Sequence, residues 1–183
     1  ANDTPAFMFM ADADANVDFI NQQWLQFAGL ENNTGLGHAW AEVTHPDDIM
    51  PMMDIYTAAV RNHQPYQFEI RQRNKNGEYR WVLWRGIPRI DADGHFIGIM
   101  GVGTDITEQK QAQELIRESE EQFRQLADLV PQILWTARPD GFIDYYNRRW
   151  YEYTGYREGF GDDSWTPVVH PDDLPGLLDV YYQ

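Results

Sequence analysis

The chain has 183 residues, 43% hydrophobic and 14% aromatic, with 29 acids against 14 bases and a formal charge of −15. That apolar content builds a core and argues against a disordered chain, while the acidic balance argues against nucleic acid and anionic membrane surfaces, which need clustered Lys and Arg. There is no cysteine, which removes disulfides, thiol catalysis and iron–sulfur ligation, and no run approaches the roughly 18 apolar residues of a membrane span.

In chain order, Phe7-Met-Phe-Met10 and the alternating Asn16-Val-Asp-Phe-Ile20 flank a turn-rich Asp12-Ala-Asp-Ala-Asn16, which predicts a hairpin. Asn21 sits where a helix N-cap belongs and Gly29 where a C′ glycine belongs. Trp24, Leu25, Phe27 and Ala28 supply the apolar face between them. His45-Pro-Asp-Asp48 opens another helix, to about Asn62. Proline suits a first turn, and Asp47 and Asp48 face the positive end of the dipole. Tyr66 to Arg73 is a strand with Phe68 and Ile70 on one face. Asn74-Lys-Asn-Gly77 turns, Glu78 to Arg85 is a second strand continuing toward Ile90, and Asp91-Ala-Asp-Gly94 turns again. His95 to Asp105 is a third strand. Gly98, Gly101 and Gly103 inside it mark close approach of a helix, a ligand or other backbone.

Ile106 to about Leu129 lacks Gly and Pro and reads as one long helix. Gln109, Ile116, Phe123 and Val130 fall at seven-residue steps, with Ala112, Ser119 and Leu126 interleaved. This is a dilute heptad seam, from which Ile116, Phe123 and Leu126 are the candidate dimer contacts. An amphipathic helix packed on its own domain is the other reading of the pattern.

The chain then repeats itself. Asp18-Phe-Ile-Asn-Gln-Gln-Trp-Leu-Gln-Phe-Ala-Gly29 returns as Asp144-Tyr-Tyr-Asn-Arg-Arg-Trp-Tyr-Glu-Tyr-Thr-Gly155, and His45-Pro-Asp-Asp48 as His170-Pro-Asp-Asp173. Asn21 recurs as Asn147 and His45 as His170, so the spacings are 126 and 125 residues, a domain-sized duplication. The expected organisation is a complete module at 1–107, a connecting signalling helix at 108–130, and the N-terminal half of a second module at 131–183. A half-sheet with open edges is a poor stopping point, so the sequence is expected to be a piece of a longer protein.

No Walker-type glycine loop, nucleophile elbow or paired-His metal motif occurs, and Gly98-x-x-Gly101-x-Gly103 lies in a strand rather than opening a helix. An enzyme is not expected within this segment, and no metal site is assigned. His45, Asp47 and Asp48 read as helix initiation rather than metal or acid–base chemistry, because that role explains the proline and both acids together. A pocket between sheet and helices would draw on Trp24, Trp40, Met53, Tyr56, Phe68, Ile70, Trp81 and Leu83, residues that equally form a plain core. Arg85 alternates in register with Trp81 and Leu83, and a buried Arg needs an anion, either a ligand carboxylate or a protein one. Thr107 is positioned to cap the helix that follows. The start of the chain is no signal peptide, and a cytoplasmic location is expected, with an anchor outside this segment left open.

The ordered set of motifs resembles a PAS domain of the kind common in bacterial sensor proteins. The set comprises the hairpin, the Asn-x-x-Trp helix, Trp40 before His45-Pro-Asp-Asp48, the Gly77-Glu-Tyr-Arg-Trp81 hairpin and Gly101-Val-Gly-Thr-Asp-Ile-Thr107. It spans residues 7–112, and the second copy matches through Asp173. The resemblance implies an α+β fold, a five-stranded antiparallel sheet with helices on one face. It implies a sensing or interaction module linked to an output domain, most often a histidine kinase and sometimes a diguanylate cyclase, as in two-component systems. It implies that Asp105 pairs with a basic residue on the neighbouring strand, here expected to be Arg85, so that Arg85, Asp105 and Thr107 relay signal from sheet to helix. It disfavours haem, since the helix from Asp47 to about Asn62 offers no His and His63 falls at a turn, and it disfavours cysteinyl flavin. A reversibly bound small molecule stays open, as does a ligand-free role in dimerisation.

Overall fold

The computed structural model describes residues 6–30, 37, 39–156 and 162–181. It divides into two compact units, Ala1–Gln113 and Glu114–Gln183.

In the first unit, β1 (Phe7–Ala11) and β2 (Val17–Ile20) form the expected hairpin. Asn21 then starts α1 (Gln22–Ala28). Its side-chain oxygen accepts the Trp24 N–H and the Met8 N–H, while its amide donates to the Ala6 carbonyl. One carboxamide thus caps the helix and fixes the strand before it. Gly29 ends α1 at φ 70°, the left-handed geometry of a C′ glycine. A short helix α2 (Ala39–Val43), not anticipated from sequence, carries Trp40.

His45 caps α3 (Pro46–Asn62), its Nδ1 accepting the Asp47 N–H at 3.3 Å. The rest of the motif works on the sheet. The His45 N–H donates to the Arg71 carbonyl, and Asp48 accepts the Arg71 N–H at 2.8 Å and its guanidinium at 3.0 and 2.6 Å. Arg71 lies on an edge strand, so the start of α3 occupies backbone groups that would otherwise stand open.

β3 (Tyr66–Arg73), β4 (Tyr79–Ile90) and β5 (Phe96–Asp105) complete an antiparallel five-stranded sheet in the order β2-β1-β5-β4-β3. Phe7, Trp24, Leu25, Val43, Met52, Ile70, Val82 and Trp84 form the main core between sheet and helices. The glycines of the sheet make room for flat rings. A Cβ at Gly86 would meet Tyr66 at 2.1 Å, one at Gly101 would meet Phe9 at 2.2 Å, and one at Gly103 would meet Trp84 at 2.9 Å.

α4 (Thr107–Leu129) follows β5 after one residue. The boundary between the two units falls inside this helix. In the second unit, β6 (Trp135–Ala137) pairs with β7 (Ile143–Tyr146) as a two-stranded sheet, followed by α5 (Arg148–Thr154) and α6 (Leu174–Tyr181). Tyr146 stacks on Trp150 at 4.4 Å and forms a small core with it and Ile143. The His170 turn copies that of His45, with the Asp172 N–H on His170 Nδ1 at 3.3 Å and the Asp173 N–H on the His170 carbonyl at 3.0 Å. Here the turn stays outside the helix, which begins at Leu174.

Gly98 tests how tightly β1 and β5 close. Its φ is 136°, and a Cβ there would lie 1.9 Å from the Ala11 carbonyl oxygen. Gly98→Ala combines backbone strain with a clash against main chain, and is expected to cost about 2–4 kcal/mol. Thermal unfolding followed by circular dichroism should drop by roughly 10 °C or more.

Candidate functional site

A cavity of about 240 Å³ lies between the sheet and α1–α3. The sheet contributes Phe9, Ile20, Phe68, Ile70, Gln72 and Trp84, and the helices contribute Trp24, Trp40, Met52, Met53, Tyr56 and Thr57. Of the pocket residues expected from sequence, Trp40, Tyr56, Phe68 and Ile70 line this cavity. Trp81, Leu83 and Arg85 do not. Phe68 pairs with Trp84 and Ile70 with Val82, so the even-numbered residues of β4 face the helices. Trp81, Leu83 and Arg85 occupy the opposite face, and Arg85 is exposed, donating to Gln67 at 3.0 Å. Because side chains alternate, one step of parity moves the whole set. In Trp81-Val-Leu-Trp84 both parities are apolar, so the pattern carried no signal for the choice.

Polar chemistry in the cavity centres on Gln72, which is 2% exposed. Its Oε1 accepts the indole N–H of both Trp24, at 3.3 Å, and Trp84, at 3.2 Å. Its Nε2 donates to the Thr44 hydroxyl at 3.3 Å. The Tyr56 and Tyr66 hydroxyls are buried without a hydrogen-bond partner among the described residues. Burial, with the Asp12 carboxylate second, pushes Tyr56 up to about 12, so it stays a neutral phenol. Tyr66 is pushed up further by burial and by Tyr56. A lone Gln on an otherwise ordinary strand gave no sequence signal for this role.

The second arrangement joins β5 to α4. Asp105 is bound by Arg80, not by Arg85 as expected. Asp105 lies opposite Val82 on β4, which puts it on the face of Arg80 two residues away. Arg85 is three residues along, about 10 Å, and on the other face. Burial works to raise the Asp105 carboxyl, but the Arg80 guanidinium and the Thr107 contacts outweigh it and hold it below the usual carboxylate range. Thr107 also departs from the capping role. Its hydroxyl accepts the Trp81 backbone N–H at 2.8 Å, while its own N–H donates to Asp105 at 3.0 Å. With the Ile106 N–H on the Trp81 carbonyl at 2.9 Å, the β4–β5 ladder runs into the first turn of α4.

On the outer face, Trp81 lies between two cations. The Lys110 ammonium of α4 is 4.7 Å from its ring centroid and the Arg71 guanidinium 5.5 Å. Lys110 also pairs with Glu69 at 2.6 Å. Neither Arg80 nor Lys110 was singled out from sequence. The proposed seam residues Ile116, Phe123 and Leu126 are all exposed, and Phe123 lies 5.3 Å from the Tyr145 ring. His63 ends α3 in left-handed geometry and stacks on Phe96, outside the cavity lining.

The second copy uses its asparagine differently. Asn147 is fully buried, accepts the Leu134 N–H at 3.0 Å, and donates to the carbonyls of Ala127 on α4 and Gln132. It makes no cap contact to α5, whose first N–H, that of Arg148, is taken by Asp128 at 2.8 Å. The end of α4 is thereby built into the hairpin that follows it.

The Asp48–Arg71 contact gives a pH signature. The guanidinium hydrogen bond holds Asp48 below the ordinary carboxylate range, against the pull of burial. A depressed folded-state value contributes stability above the unfolded value, near 3.9, and loses it as pH falls through the folded one. Asp48→Asn should therefore unfold earlier than the parent at neutral pH, and the gap should close as pH drops below about 4. Melting curves across that range check this, and a gap independent of pH would show that the charge is not responsible.

Family models for the PAS fold and the PAS domain match residues 17–103 and 121–180. The chain is 31% identical over 180 residues to the uncharacterized protein y4lL of Sinorhizobium fredii, covering 98% of this chain and 22% of that protein. It is 28% identical over 183 residues to the peroxide stress-activated histidine kinase mak1 of Schizosaccharomyces pombe, covering 95% of this chain and 11% of that protein. It thus spans less than a quarter of either relative's length. The fold is similar to that of a sensory box histidine kinase/response regulator from Burkholderia thailandensis, with a TM-score of 0.52 at 22% identity over 67% of this chain and 92% of that one. With both modules matched in turn, and with the five-stranded sheet, helical layer and exit helix in place, the chain belongs to the PAS family of sensor domains.

Proposed function

We propose that the first module senses a small molecule in its cavity and passes the change through α4 to the second module and onward to an output domain such as a histidine kinase. The observation that carries this reading is the continuity between cavity wall and exit helix. Trp84 lines the cavity, and three residues earlier on the same strand Trp81 bonds Thr107 and packs Lys110. α3 supplies Met52, Met53 and Tyr56 to the wall while Asp48, in its first turn, holds Arg71 beside Trp81. A ligand that parts α3 from the sheet acts on both lines at once. Asn147 and Asp128 supply the matching attachment at the far end of the helix. Differential binding of about 1–3 kcal/mol between two states is enough for such coupling.

A second reading, a ligand-free module for dimerisation, is favoured by the exposed apolar residues of α4, with Ile116 at 60% and Leu126 at 66% exposure. Native mass spectrometry separates the two, since sensing calls for a bound small molecule and scaffolding for tight, empty dimers.

In the full-length parent protein, residues inserted at Ala112 rotate everything downstream by roughly 100° each. Output should change after one or two insertions and return after seven, which bring the helix face back to within about 20°. Constant output across the series would sink the relay.

A further inference from the structure

We propose that the cavity of the first module takes a neutral, flat aromatic molecule of about two fused rings that accepts a hydrogen bond from the Gln72 amide. This rests on the sensing reading above and adds the chemical class of the ligand.

Shape and charge come first. Phe9, Trp24, Trp40, Tyr56, Phe68 and Trp84 supply the wall with ring surfaces. Ring faces and edges favour a flat aromatic partner over an aliphatic one of equal area. A cavity of about 150 Å³ holds benzene, so 240 Å³ has room for a bicycle and falls below the usual range of drug-sized pockets, about 300–1,000 Å³. Among the described lining residues there is no Lys, Arg, His, Asp or Glu. Arg85, the residue that would have met a carboxylate, lies on the other face of the sheet. Bringing a charge into such a space without a partner is costly.

Gln72 then sets polarity. Two indole N–H groups point at one end of its carboxamide, and only the oxygen accepts, so the amide orientation is fixed by chemistry. The nitrogen end has two hydrogens. One goes to the Thr44 hydroxyl, and the other has no acceptor among the described residues. A buried donor without an acceptor selects a ligand that brings one. The Tyr56 phenol, also unpartnered and held neutral, is a further donor on the same wall. The same donors disfavour a cation, despite the aromatic surroundings.

The test uses the 183-residue chain and four probes built on one bicyclic frame in calorimetric titrations: quinoline, naphthalene, naphthoate and N-methylquinolinium. Quinoline should bind about tenfold tighter than naphthalene, its isostere without an acceptor, consistent with one buried hydrogen bond. Gln72→Glu, which keeps an oxygen for the two indole N–H groups and carries no second N–H, should erase that preference while keeping naphthalene binding. Should Gln72→Glu fail to fold, the parent's probe ranking decides alone. Equal binding of quinoline and naphthalene, or tighter binding of either ion, overturns the proposal and leaves sensing intact. If no probe binds, the proposal falls, and Met53→Trp in the full-length parent then judges the wider reading. Unchanged output after filling the cavity would remove ligand sensing as well.

Discussion

The pairing that runs Phe68 to Trp84 to Gly103 to Phe7 across four strands fixes which side of the sheet meets the helices. The layout of the first module follows from that register. It turns Val82, Trp84 and Gly86 inward and leaves Trp81, Leu83 and Arg85 outward. It also lays the Trp84 ring over Gly103 and the Phe9 ring over Gly101, where a Cβ would run into them. The inward face lines the cavity, and the outward face carries Trp81 and its cations against the base of α4. A single strand therefore presents one surface to the cavity and the other to the exit helix.

The two copies show how one local device serves two ends. Asn21 and Asn147 stand at the same position of the duplicated block, and each accepts a backbone N–H from the start of its hairpin, Met8 for one and Leu134 for the other. Asn21 spends its oxygen on a strand N–H and a helix N–H. Asn147 gives its amide to an α4 carbonyl, and Asp128 takes over the helix terminus. A carboxamide has both donors and an acceptor to satisfy, and in the second copy α4 supplies one of the partners.

The His-Pro-Asp-Asp motif likewise has a local and a distant part. Its turn closes in both copies with the same bonds to His45 and His170. Only in the first copy do the described residues include the strand that Asp48 grips. There the motif is a clasp between α3 and the sheet edge, and helix initiation is only part of its work.

Much of this was legible in the sequence because it depends on neighbours in the chain. Asn and Gly at helix ends, Pro in a first turn, the hairpin turns, and a run without Gly or Pro for α4 are local choices of backbone conformation. They gave β3, β4, β5, α3 and α4 close to their observed ends, and the duplication gave the second hairpin. The cavity was half legible. Tyr56, Phe68 and Ile70 come from elements whose two faces differ in polarity, so their direction could be read, whereas Trp40 lies on α2, a helix not anticipated from sequence. Trp81-Val-Leu-Trp84 is apolar on both faces, and its direction is set only by pairing with β3 and β5. Arg80 replaces Arg85 as the partner of Asp105 for the same reason, since the partner of a strand residue is decided by register across the sheet. Gln72 and Lys110 gain their roles solely from what the folded sheet brings beside them, two indoles for one and Trp81 with Glu69 for the other. Sequence settled the elements and their ends, where the energetics are local. Tertiary structure settled faces and partners, because those depend on contacts between residues far apart in the chain.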